Sequence, residues 1–156
     1  MEIGKIATKK SLGQHWLVDQ VSLDYIIVDA DLNSNDVVLE IGPGTGNLTR
    51  LMAPKVKKII AVELDESLLE NLKNMNIANM EIIHQDILSF NLSELPKKYK
   101  IVANIPYYLT SKLIRLISES NNPPELAILL VQKEIAERLS AKHGDYSILG
   151  LTAQYY

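Results

Sequence analysis

Cysteine is absent from the chain, which excludes disulfide frameworks and thiolate metal sites and fits a reducing compartment. No stretch approaches the roughly 18 to 20 apolar residues that a membrane-spanning helix needs. The opening MEIGKIATKK also lacks the apolar centre of a secretory signal. Together these absences predict a cytoplasmic protein. No internal repeat or low-complexity tract interrupts the pattern. A net charge of -3 leaves no cationic excess for coating a polyanion, which speaks against a general nucleic-acid binder. Acidic groups outnumber basic ones up to residue 86 and the balance reverses beyond it, so any contact with phosphates has to be local. Three lysine clusters are candidates for it: Lys9 and Lys10; Lys55, Lys57 and Lys58; and Lys97, Lys98 and Lys100. Such clusters read first as solvated surface.

What is present suits one α/β domain. The 156 residues are 47% apolar and 22% charged, enough to bury a core without the composition of a disordered chain. Short runs at 37–41, 59–64, 80–84, 100–104 and 126–132 are β-branched and apolar on both faces, as strands between two helix layers should be. Helical patterns follow around 47–53, 66–74, 111–119 and 133–142, and Asp19 is placed to cap a helix over roughly 20–30. Pro54 should stop or kink the helix that begins near Asn47. Alternating strands and helices predict a doubly wound, mostly parallel sheet with right-handed crossovers. Ligands in such sheets bind beyond the carboxyl ends of the strands.

The first strand runs directly into EIGPGTGNLT, residues 40–49. Gly42, Gly44 and Gly46 allow backbone angles and a close approach that a β-carbon forbids. A dinucleotide fingerprint would place its third glycine at 47, where this chain has Asn47. The G-x-G-x-G spacing suits instead an amino-acid or nucleoside group lying across the loop. Glu40 is either a stabiliser of the loop through backbone N–H groups or simply a polar strand residue. Glu63 closes the second strand about twenty residues after the first glycine, where a carboxylate can accept both ribose hydroxyls and repel a 2′-phosphate. Asp86, after the third strand, reads either as an acceptor for an adenine amine or as a helix cap or turn residue.

In order, EIGPGTGNLT, AVELD, HQDIL and VANIPYY resemble the Rossmann-like S-adenosylmethionine-dependent methyltransferases. With KKSLGQHWLVD at 9–19 and LLVQKEIAERL at 129–139, the chain resembles the rRNA adenine-N6 dimethyltransferases of the KsgA type, which modify small-subunit rRNA and serve ribosome biogenesis. The resemblance runs from Lys9 onward. It implies S-adenosylmethionine as cofactor, no metal, and rRNA, within a small-subunit particle, as partner. It also implies a lid in which His15 and Leu17 touch the cofactor, with Trp16 replacing the usual phenylalanine.

Within that family the segment Asn104-Ile105-Pro106-Tyr107 forms the catalytic clamp. Adenine N6 is a poor nucleophile because its lone pair is delocalised into the ring. Acceptors aimed at its two hydrogens hold it in line with the sulfonium methyl and favour a more tetrahedral nitrogen. The Asn104 side-chain oxygen and the Ile105 carbonyl are such acceptors if Pro106 fixes the turn, and Tyr107 offers a face for the extruded base. Asn104 thereby borders the cofactor too, while Tyr108 is assigned to packing. The donor is already activated, so no catalytic histidine is nominated. Lys112, Arg115, Lys133 and Arg138 are candidate phosphate contacts.

Members of that family continue past the point where this sequence stops, with two more strands and a small helical domain. The expectation is therefore a truncated catalytic domain over residues 1–156 that binds the donor but methylates weakly or not at all. A fifth strand left uncovered would favour self-association. Three rivals remain: the large-subunit rRNA enzyme associated with macrolide resistance, a non-catalytic RNA-binding assembly factor, and, least supported by its glycine spacing, a nicotinamide oxidoreductase.

Overall fold

The computed structural model describes residues 19–106 and 108–140. Five parallel strands form one sheet in the order β3-β2-β1-β4-β5, from β1 (Val37–Ile41), β2 (Lys58–Glu63), β3 (Met80–His84), β4 (Lys100–Asn104) and β5 (Leu126–Leu130). The helices are α1 (Gln20–Asp29), α2 (Asn47–Met52), α3 (Glu66–Asn74), α4 (Thr110–Ser118) and α5 (Lys133–Leu139). The doubly wound expectation holds. After β3 the chain returns to the far side of β1, so β1 and β4, paired from Val38 opposite Lys100 to Ile41 opposite Ala103, flank the topological switch where such sheets take their ligands.

Side chains alternate across each strand, and the alternation builds two cores. Leu39, Ile41, Ile60, Val62, Ile101 and Ala103 pack with Phe90, Tyr99, Leu109 and Leu113 on one face. On the other, Val38, Ile59, Ala61 and Val102 meet Leu23, Ile26 and Ala30 of the α1 region and Leu48 and Met52 of α2. The central strands are buried almost throughout. The outer strands β3 and β5 are only partly covered, and Glu81 of β3 faces water in a 2.6 Å pair with Lys58.

Helix boundaries follow local chemistry. Asp19 caps α1 by accepting the Ser22 N–H at 2.9 Å and its hydroxyl at 2.6 Å. Asp65 does the same for α3 through Ser67. Helix α2 ends at Met52 and tightens into a 3₁₀ turn over Ala53–Lys55, because Pro54 has no N–H to continue the helical ladder. Strand β5 is shorter than the expected 126–132. Its last residue, Leu130, pairs with Asn104 at the end of β4, and beyond it the chain turns through Gln132 into α5.

Lys100 corrects a sequence expectation. It is not a phosphate-facing surface lysine: it opens β4, is 8% exposed, and reaches Asp36 at 3.0 Å and the carbonyls of Ala30 and Asp31. Burial disfavours the Asp36 carboxylate, yet the Asn33 N–H and Lys100 outweigh it and hold its pKa below the ordinary value. This pair ties the end of α1 to the amino edge of the sheet, opposite the candidate site. No described helix is long and apolar enough to cross a membrane.

Candidate functional site

All five strands end at one cavity of about 520 Å³, within the range of small-molecule sites. Its wall takes Ile41 and Gly42 at the end of β1, Glu63 and Leu64 at the end of β2, Gln85 and Asp86 after β3, Asn104 to Pro106 at the end of β4, and Leu130 to Gln132 at the end of β5.

The glycine loop forms the floor. Gly42, Gly44 and Gly46 have φ of 63°, 60° and 79°, left-handed values that cost an L-residue about 1–2 kcal/mol. Space adds a second requirement at Gly46 that Gly42 does not share. A β-carbon on Gly46 would lie 2.5 Å from the Met75 sulfur, whereas one on Gly42 would meet nothing within 4 Å. Gly42 donates to the Val62 carbonyl at 2.9 Å and Gly46 to the Pro43 carbonyl at 2.9 Å, so the loop is stitched to β2 and to itself before any ligand arrives.

Glu63 does more than the sequence implied. Its side chain, 5% exposed, accepts the Gly44 N–H at 3.1 Å and the Asp65 N–H at 2.9 Å. The same carboxylate expected to take ribose hydroxyls also clasps the glycine loop to the end of β2. Two oxygens accept about four hydrogen bonds, so capacity remains on the cavity side.

Glu40 sits one strand over, on the opposite face of β1 from Leu39 and Ile41, and is 1% exposed. Its carboxyl accepts the Thr49 hydroxyl at 2.7 Å. Of the two roles open to it, the structure supports anchoring, directed at α2 and not at the loop glycines. Burial pushes its pKa up to about 7, opposed by the Thr49 hydrogen bonds and assisted by the charge of Glu63.

Asp86 takes the cap position that is one of its two readings, and its place leaves the other open. It caps the short turn Ile87–Ser89 by accepting the Leu88 N–H at 2.9 Å, and it is exposed at the cavity wall. Across the cavity, Asn104 is half-buried at the tip of β4, followed by buried Ile105 and then Pro106. The Pro106 carbonyl accepts the Leu109 N–H at 3.0 Å, closing the turn that swings the chain into α4. The structure therefore brings together Gly42, Gly44, Glu63, Asp86, Asn104, Ile105 and Pro106 around one space, with Gly46 supporting the loop from behind. His15, Leu17 and Tyr107, like Lys9 and Lys10, lie outside the described residues.

Two further expectations change. Tyr108 packs only in part: it is 45% exposed at the cavity wall, while Ile105, Leu109 and Leu113 are in the core. Of the four cations proposed for phosphates, only Lys112 lines the cavity. Arg115 is bonded to Glu119 at 2.8 Å and Lys133 lies 3.7 Å from Glu137. Leu64, 47% exposed, and Gln85 and Gln132 went unnamed in the sequence. The residues flanking each strand's carboxyl end were the signal for all three.

Comparison with known proteins gives this arrangement its kinship. The family described as Ribosomal RNA adenine dimethylase matches residues 6–156. A ribosomal RNA small subunit methyltransferase A of Alkaliphilus metalliredigens is 39% identical over 97% of this chain and 56% of its own length. The protein of that name from Dehalococcoides mccartyi strain 195 is 41% identical over 100% of the chain and 55% of its own. The chain thus spans about half the length of the curated relatives it matches. Among solved structures, a dimethyladenosine transferase from Plasmodium falciparum superposes with a TM-score of 0.81 at 34% identity, covering 91% of this chain and 53% of that one. The 23S rRNA methyltransferase ErmE gives 0.75 at 28% identity, covering 85% and 54%. By the match over residues 6–156 and by relatives of about 40% identity, the chain belongs to the ribosomal RNA adenine dimethylase family.

Proposed function

We propose that residues 1–156 act as the donor-binding, catalytic domain of an enzyme that methylates adenine N6 in small-subunit rRNA, yielding N6,N6-dimethyladenosine. The observation that carries this reading is the meeting, in one cavity, of the glycine loop and Glu63 and Asp86 on one side with the Asn104–Pro106 turn on the other.

The residues present fit S-adenosylmethionine. Positive-φ glycines leave the floor free of side chains, Glu63 retains acceptor capacity suited to a ribose diol, and Asp86 presents an acidic acceptor suited to an adenine amine. When bound, that cofactor supplies a methyl group already activated by a positively charged sulfur. The chain then has to position rather than deprotonate. The Asn104 amide oxygen and the Ile105 carbonyl accept from the two N6 hydrogens of a flipped adenine, and Pro106 holds the turn that offers them. Tyr107, by family resemblance, supplies the stacking face. The site excludes bulk water at its base, where Glu40, Glu63 and Ile105 are buried.

Small-subunit rRNA is favoured as the target because the curated relatives of about 40% identity carry that name, and the fold match to a 23S rRNA methyltransferase keeps 23S-type rRNA as the alternative. The test is incubation of a labelled methyl donor with unmodified small and large ribosomal subunits. Label in small-subunit adenines supports the reading and label in the large subunit alone supports the alternative; donor binding without label in either supports a non-catalytic factor only when a chain of the relatives' full length gives the same result, since this one spans about half of it. Self-association is a separate proposal: β5 pairs only with β4 among the described residues, and a monomer by light scattering at high concentration would contradict it.

A further inference from the structure

Tyr108 and Lys112 are left over by the mechanism above. Tyr108 is 45% exposed beside the Asn104–Pro106 turn, although an aromatic ring ordinarily buries most of its surface. Lys112, four residues further along in the first turn of α4, is exposed, shares the same wall, and has none of the ion pairs that engage Arg115 and Lys133. A half-exposed tyrosine and an exposed lysine on one cavity wall match the two parts of a nucleotide in single-stranded RNA. The base stacks on the ring and the phosphate meets the cation. The net charge of -3 rules out a broad electrostatic footprint, so the contact has to be small and close to the catalytic centre.

We propose that Tyr108 and Lys112 form a subsite for the nucleotide adjoining the target adenosine: Tyr108 stacks on its base and Lys112 holds its phosphate. This rests on the adenine-methylating reading and adds a determinant of substrate form to it. A target presented in single-stranded RNA, with a neighbour free to unstack, gains the contact. An isolated nucleoside or a paired neighbour does not.

The test compares the affinity of the chain for tetra-adenylate RNA and for adenosine 5′-monophosphate, in the unaltered chain and in Tyr108→Ala, Tyr108→Phe and Lys112→Ala, each checked by thermal unfolding. Stacking on one aromatic side chain predicts a loss of about tenfold in the tetranucleotide-to-mononucleotide preference in Tyr108→Ala. Tyr108→Phe should keep that preference. Lys112→Ala should lower the slope of log affinity against log salt by about 0.7 for the single strand. An unaltered preference in Tyr108→Ala, no preference in the unaltered chain, or equal losses for both ligands would each overturn the subsite. Calorimetry of the unaltered chain with S-adenosylmethionine checks the underlying reading separately. Donor binding with no Tyr108 effect sinks only the subsite, whereas a Tyr108 effect without donor binding sinks the methyltransferase reading and leaves Tyr108 an RNA contact with no target adenosine beside it.

Discussion

The Glu63 carboxylate accepts the backbone N–H of Gly44 at 3.1 Å while lining the cavity at the end of β2. One side chain therefore holds the glycine loop and presents acceptors to whatever lies on it. The loop's shape and its ligand chemistry are coupled through a single residue, and that coupling can be measured.

Replacing Glu63 by alanine leaves the N–H groups of Gly44 and Asp65 without their acceptor. A buried unpaired donor costs about 1–3 kcal/mol, so urea unfolding should show a loss of about 2 kcal/mol or more. Glu63→Gln keeps one acceptor oxygen and should recover part of it. Unchanged stability in the alanine variant would show that the clasp contributes nothing.

The loop glycines should separate stability from binding. Gly46→Ala meets the Met75 side chain at φ 79°, so it should lower the unfolding free energy by about 2 kcal/mol from backbone strain and crowding together. Gly42→Ala places its β-carbon in open space at the cavity. It carries the strain of about 1 kcal/mol alone but should weaken donor binding more than Gly46→Ala does. Paired unfolding and binding titrations decide, and the reverse ranking would contradict the assignment of Gly42 to the ligand side.

Glu40 predicts a pH dependence with a definite sign. Its carboxyl titrates near 7 in the folded chain against 4.5 ordinarily, so the folded state binds the proton more tightly than the unfolded state. The stability this gives is complete below about pH 4.5 and is lost as pH rises through 7. Glu40→Gln does not titrate. Its stability relative to the unaltered chain should climb by ~3 kcal/mol between those limits, and a pH-independent difference would contradict the burial argument.

Asp36 works in the opposite direction. Its depressed pKa gives stability that is present above the ordinary carboxylate value and lost as pH falls through the folded one. Asp36→Asn leaves the Lys100 ammonium buried with carbonyls alone and should cost about 3 kcal/mol. The double variant with Lys100→Met should cost less than the sum of the two single variants, which a double-mutant cycle reads directly.

Much of this was legible because a parallel sheet advertises itself. VVLEI, IIAVE and KIVAN are apolar on both faces, and a strand buried on both sides tolerates little else. Gly42, Glu63, Asp86 and Asn104 were legible for the same reason: each breaks the pattern where its strand ends, which is where the fold puts ligands. The residues misread are those whose environment depends on distant chain. Lys100 follows Lys97 and Lys98 in sequence, and only the register of β4 beside β1 turns it inward toward Asp36. Tyr108 is left 45% exposed, while its neighbour Leu109 and Leu113 of α4 join the core, a division that VANIPYY alone does not reveal. The two roles of Glu63 coincide because β1 and β2 are neighbours, which brings Gly44 to it from nineteen residues away.

Calorimetric titration of the chain with S-adenosylmethionine, beside NAD and beside Glu63→Ala, puts the central claim to its most direct test. Saturable one-to-one binding of S-adenosylmethionine, no binding of NAD, and an affinity at least about tenfold weaker in the variant are expected, the last from losing a charged hydrogen-bonding partner. Absence of heat with S-adenosylmethionine, or equal affinity with and without the Glu63 carboxylate, would contradict it.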